Sequence, residues 1–134
     1  MAARVVGAAI MFDGRVLAAR RRAPAALAGL WEFPGGKVEA GESDAQALVR
    51  ECREELSVEI AVGELIGTAQ LDDGGELAIY LAEHLIGFPE PHHHEETRWV
   101  APAALAALEW VPADRAIAAA LAARLIRELG RRDG

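Results

Sequence analysis

Among 134 residues there is one cysteine, one lysine and no asparagine, and aromatic side chains make up only 5%. Cys52 has no second thiol to pair with, which excludes a disulfide-stapled scaffold and fits a reducing compartment. No apolar run approaches the roughly 20 residues that cross a bilayer. The first residues also lack the apolar core and cleavage site of a signal peptide, so a cytoplasmic protein with no membrane partner is expected. Basic residues are outnumbered 14 to 21, for a net charge of −7, which suits a nucleic-acid duplex poorly. The few aromatics form no strip interleaved with basic residues, so Trp99 and Trp110 are expected as core anchors or pocket walls, not as a stacking platform. What the chain does have is 52% hydrophobic residues, which suits one folded α/β domain over residues 1–134 and excludes disorder as its general condition.

Apolar and β-branched residues at 5–12, the turn pair Asp13-Gly14 and the alternating segment 15–21 predict a β-hairpin. Residues 24–29 read as a loop, 30–33 as a short strand, and Pro34-Gly35-Gly36 as a break. Ala45, Leu48, Val49, Cys52 and Leu56 repeat at helical spacing behind a candidate N-cap, Ser43, and predict a helix over 43–56. Strands are expected near 58–70 and 76–85, on either side of Asp72-Asp73-Gly74-Gly75. A polar loop follows at 89–96, then a strand at 97–100 and a short helix at 102–108. A last helix is expected from Arg115 to Leu129, with Gly130 as its stop.

The chemistry concentrates in Arg50-Glu51-Cys52-Arg53-Glu54-Glu55. Positions 51, 54 and 55 are three and four residues apart, so three carboxylates share one side of a helix near its C-terminus, where the macrodipole disfavours them. A divalent cation would compensate, and clustered carboxylate oxygens suit Mg²⁺ or Mn²⁺. The alternative is a solvated face balanced by Arg50 and Arg53. Preceding the helix, Pro34 to Glu42 carries three glycines, Gly35, Gly36 and Gly41, able to bring backbone close to a ligand, and Glu42 is a candidate fourth carboxylate.

Gly36, Glu42, Arg50, Glu51, Glu54 and Glu55 fall at the spacing of the Nudix box, and the chain resembles that family. Cys52 stands where the motif has an aliphatic residue and Ser57 where it has a final glycine. If that glycine normally takes a positive φ, Ser57 brings modest strain or an altered turn. The resemblance implies an α/β/α sandwich with a mixed β-sheet and a Mg²⁺-dependent hydrolase of nucleoside diphosphates linked to another group. It further implies Glu51, Glu54 and Glu55 as metal ligands or the nearby base, Gly36 as a backbone ligand, and Arg50 orienting the glutamates. Water must attack a phosphorus already ringed by negative oxygens, and a carboxylate must take its proton. Glu51 and Glu54 are candidates from the helix, and Glu95 and Glu96 from the loop after Pro91.

Beyond the box, Arg20-Arg21, the segment Trp31 to Lys37 and the segment Trp110 to Arg115 resemble the MutT-like branch of pyrophosphohydrolases acting on nucleoside triphosphates such as 8-oxo-dGTP or CTP. By position Arg21 resembles a phosphate contact, Glu32 and Phe33 resemble residues lining the nucleoside pocket, and Lys37 falls within the same segment. Asp114 resembles the residue that reads the base, and equally suits the N-cap of the last helix. An ionised Asp114 would match the N1–H and N2–H of guanine, and a protonated one N3 and N4–H of cytosine. His92-His93-His94 is expected as a surface loop, because adjacent residues do not all face one ion. The partner expected is a small nucleotide, and oligomeric state is left open. Other readings are a non-catalytic nucleotide sensor, suggested by Ser57, and a Nudix hydrolase of dinucleotides or nucleotide sugars.

Overall fold

A computed structural model describes residues 3–133. In chain order the elements are β1 (Arg4–Phe12), β2 (Arg15–Arg21), β3 (Trp31–Glu32), β4 (Gly35–Lys37), α1 (Asp44–Leu56), β5 (Glu59–Gln70), β6 (Glu76–Ile86), β7 (His94–Val100), α2 (Pro102–Leu105) and α3 (Pro112–Asp133). The sheet runs β3-β2-β1-β6-β5, with β4 on β1 and β7 on β2. β1 and β6 are parallel and the other pairs antiparallel, so the sheet is mixed, as expected.

Alternation along the central strands sends side chains to opposite faces. Val6, Ala8 and Ile10 of β1 meet Ala47, Leu48, Cys52 and Leu56 of α1 on one face. On the other, Ala9, Leu77 and Ile79 meet Ile117, Leu121 and Leu125 of α3, together with Leu105 and Trp110. This is the three-layer sandwich. Trp110 donates from Nε1 to the Leu105 carbonyl at 2.8 Å, while Trp99 packs on Phe12 and His84, so both tryptophans anchor packing.

The first hairpin is closed only at its turn, where Met11 faces Val16 and Phe12 faces Arg15. Its strands then part and the segment 31–37 enters between them, with β3 pairing β2 and β4 pairing β1. The expected break at Pro34-Gly35-Gly36 is therefore a strand from Gly35 onward. A Cβ on Gly35 would lie 1.9 Å from the Val6 carbonyl oxygen, so only glycine lets these backbones approach.

Helix α1 begins as expected. Ser43 Oγ accepts from the Gln46 N–H at 3.1 Å, and Gln46 Oε1 accepts from the Ser43 N–H at 2.9 Å, forming a capping box. It ends at Ser57, in the left-handed region at φ 58° and ψ 33°. Helix α3 departs from expectation at both ends. Pro112 opens it, because a proline at the first helical position has no N–H to leave unpaired. Asp114 therefore lies inside the first turn and is not the N-cap. Gly130 does not stop the helix, since a glycine on an exposed turn costs only about 1 kcal/mol against alanine. Helix α2 is confined to Pro102–Leu105.

Candidate active site

A cavity of about 1050 Å³ opens beside the 31–37 segment and the C-terminal end of α1. Its walls include Arg21, Glu32, Phe33, Gly36, Glu55 and Asp114, residues from four separate stretches of chain. Backbone bonds fix their relation. The Trp31 N–H donates to the Glu109 carbonyl and the Val111 N–H to the Trp31 carbonyl, each at 2.8 Å, tying the start of α3 to β3.

At one end lies the helix face. Glu55 lines the cavity, and its Oε2 is buried with no hydrogen-bond partner. Burial first, then the nearby Glu51 charge, pushes the Glu55 carboxyl up to about 8, against the opposing effect of the Gly35 backbone N–H. Glu51 packs so closely on Gly36 that a Cβ there would lie 2.5 Å from the Glu51 carboxyl carbon. Glu54 does not line the cavity and is turned toward solvent, 58% exposed, on Arg50 at 3.3 Å.

Arg50 organises this face. Its guanidinium donates to Glu42 at 2.7 and 2.9 Å, to Glu51 at 2.9 Å and to the Lys37 carbonyl at 3.1 Å. Glu42, read as a candidate fourth ligand, is held by Arg50 instead, and that bond, then the Glu39 N–H, lowers its carboxyl to about 2. The exposed Lys37 contributes its carbonyl to Arg50, and its residue is not part of the cavity lining.

Among the described residues, no three carboxylate, imidazole or thiol groups converge as they stand to form a ready metal cluster. The donor set nevertheless fits a hard divalent cation. It offers an unpartnered buried oxygen on Glu55, a second carboxylate on Glu51, and the Gly36 backbone with no Cβ in the way.

The opposite end is apolar with one acid. Phe33 and Trp110 lie with ring centroids 4.7 Å apart and planes 30° apart, and the Phe33 N–H donates to Asp114 Oδ2 at 2.8 Å. Asp114 is 4% exposed. Desolvation raises its carboxyl to about 7 and Glu32 adds to the rise, whereas the Phe33 N–H and Arg21 oppose it. Between the two ends Arg21 donates to Glu32 at 2.9 Å, and both line the cavity.

Two expectations fail here. Glu95 and Glu96 do not line the cavity but pair with Arg20 at 3.6 and 3.3 Å, and Glu96 also pairs with Arg98 at 3.0 Å. The three histidines are not a uniform surface loop. His92 and His93 are exposed at the cavity rim, but β7 starts at His94, which is buried and bonded to Glu32 at 2.8 Å. The cause is a register shift on β7 that hydropathy patterning does not carry.

A model of the NUDIX domain matches residues 1–129. The CTP pyrophosphohydrolase of Escherichia coli (strain K12) is 43% identical over 113 residues, covering 82% of this chain and 84% of that protein. The 8-oxo-dGTP diphosphatase of Haemophilus influenzae (strain Rd) is 38% identical over 100 residues, covering 72% of this chain and 71% of that protein. The solution structure of the E. coli ORF135 protein superposes with a TM-score of 0.77 at 40% identity, over 90% of this chain and 89% of that one.

Proposed function

The chain belongs to the Nudix family and is a Nudix pyrophosphohydrolase of the MutT-like type; from that premise we propose that it hydrolyses nucleoside triphosphates with Mg²⁺, giving a nucleoside monophosphate and pyrophosphate. We take its substrates to be of the 8-oxo-dGTP or (d)CTP kind, so that it serves to sanitise the nucleotide pool. The observation that carries this reading is the polarity of one cavity, with Glu55 of α1 and the Gly36 backbone, on which Glu51 packs, at one end and Phe33 with the buried Asp114 at the other. A nucleotide has the matching polarity, anionic at its phosphates and flat at its base.

In this reading Glu51, Glu55 and the Gly36 backbone hold the ion, and Glu54, held by Arg50 at the helix surface, joins them or serves as base. When bound, Mg²⁺ neutralises phosphate charge and lowers the pKa of water. Arg50 keeps Glu51 and Glu54 aligned although the three glutamates repel one another. Arg21 supplies positive charge toward the substrate phosphates, while Phe33 and Asp114 receive the base.

Ser57 does not favour a non-catalytic sensor, because its side chain is accommodated by a 2.8 Å contact with His92 Nε2. The test is pyrophosphate release over a panel of 8-oxo-dGTP, dCTP, 5-methyl-dCTP and a nucleotide sugar, with Mg²⁺ and with chelator. Mg²⁺-dependent turnover of a triphosphate is expected. A preference for the nucleotide sugar, or binding without turnover, would replace this reading.

A further inference from the structure

The ladder between β2 and β7 is irregular beside the cavity. Arg20 stands opposite Glu96, yet the next residue, Arg21, stands opposite His94, so Glu95 is an extra residue on β7. In an unbroken antiparallel ladder Glu95 would face Arg21. Instead Glu95 lies outside, toward Arg20, and His94 turns inward with its side chain 5% exposed. The Arg22 side chain donates to the His94 carbonyl at 2.9 Å, which fixes that backbone.

The consequence falls on Glu32. Its Oε2 lies 2.8 Å from His94 Nε2 and its Oε1 accepts from Arg21 at 2.9 Å, so one cationic and one imidazole donor grip separate oxygens. A guanidinium left alone with a carboxylate tends to take both oxygens as a fork, which would turn the acid onto the arginine and occupy both groups. His94 prevents that, and each Glu32 oxygen keeps a lone pair for another donor. His94 Nδ1 has no partner among the described residues, so the ring's one hydrogen bond to them is the one to the Glu32 carboxylate.

We propose that His94 is a positioning residue that holds the Glu32 carboxylate in the cavity as a hydrogen-bond acceptor for the nucleoside part of the substrate. Glu32 directly precedes Phe33, which meets Asp114 at the base end, and Gly35 and Gly36, which meet Glu55 and Glu51 at the phosphate end, follow three and four residues later. The bulge gives this place an imidazole donor where the regular ladder would set a second carboxylate against Glu32. This inference rests on reading the cavity as a nucleotide site.

The test compares His94→Leu, His94→Gln, Glu32→Gln and the Leu/Gln double variant, with KM and kcat measured on the best triphosphate. His94→Leu should raise KM about tenfold with kcat within about threefold, as expected for loss of uniform binding. His94→Gln, whose side-chain N–H can reach Glu32, should restore KM to within about threefold, and the Leu change should add nothing once Glu32 is Gln. Equal losses in Leu and Gln, or additive losses in the double variant, would overturn the proposal. Independently of turnover, the His94 Nε2–H should be protected from exchange in the substrate-free protein and lose that protection in Glu32→Ala. Equal exchange in both proteins would overturn the contact itself, whereas a protected N–H in a protein that hydrolyses no nucleotide would remove the substrate reading alone.

Discussion

Asp114 is a carboxyl placed where its charge is costly, and two measurable effects follow. Its folded-state value of about 7 lies above an unfolded value of about 4. Below pH 4 both states are protonated. Between pH 4 and 7 the unfolded chain ionises first, so this group's contribution to stability is lost as pH rises, and above 7 no further loss occurs. Asp114→Asn keeps an acceptor for the Phe33 N–H and cannot ionise. Its stability relative to the natural protein should therefore grow between pH 4 and 7, by roughly 4 kcal/mol at most, and then level off, as urea titrations at several pH values would show. The second effect concerns specificity. A protonated Asp114 offers cytosine a donor and an acceptor, while the ionised form suits guanine, so kcat/KM for a cytosine substrate should fall above pH 7 as that for a guanine substrate rises toward its plateau. Parallel pH profiles would mean that Asp114 does not read the base. The sequence pointed to this residue by resemblance alone. Its other reading, as a helix cap, disappears because Pro112 starts α3 two residues earlier.

Helix α1 was legible because capping chemistry and apolar spacing agree along its length, and its end illustrates a local rule overridden. Ser57 sits at φ 58°, where a side chain is strained by about 1 kcal/mol or more. Glycine would remove that strain, but it would also remove the contact to His92 and loosen the unfolded chain. Ser57→Gly should thus change stability by less than about 1 kcal/mol and activity by no more than a few-fold, checked by denaturant midpoint and steady-state rate. The strands were legible wherever alternation faces a helix layer. β4 was hidden because a glycine pair carries no hydropathy signal, and His94 because one extra residue on β7 reverses which side chains face inward. The crowding of acids near the end of α1 was readable from spacing, but not that Glu55 lines the cavity while Glu54 turns to solvent, nor the partner of each acid. Arg50 distributes its donors over Glu42, Glu51 and Glu54 in a way that depends on the folded 37–42 loop.

For the molecule as a whole, a net charge of −7 and a buried oxygen on Glu55 without a partner make cation binding a stabilising event. Mg²⁺ should raise the melting temperature beyond the effect of NaCl at equal ionic strength, since a ligand at about 100 times its Kd adds about 2.7 kcal/mol. Glu55→Gln should abolish most of that rise, and chelator should reverse it in the natural protein. An identical rise in Glu55→Gln would place the ion elsewhere.

The strand segment wedged into the parted hairpin also decides which parts of the cavity can yield. Trp31 and Phe33 donate their backbone N–H groups to Glu109 and Asp114, across the sheet and the start of α3, so this floor cannot shift without breaking the ladders on either side of it. The rim around Asp72–Gly74 and His92–His93 is exposed and lies outside these ladders, tied to the end of α1 through the His92 N–H on the Glu55 carbonyl at 3.1 Å and the His92 ring on Ser57. Amide exchange should accordingly report two populations, with Trp31 and Phe33 opening only with global unfolding and the rim exchanging by local fluctuation. In the proposed reading, a stiff floor with a compliant rim would hold phosphate and base at a fixed spacing while tolerating variation in what protrudes, so accommodation of altered substrates would evolve through the rim.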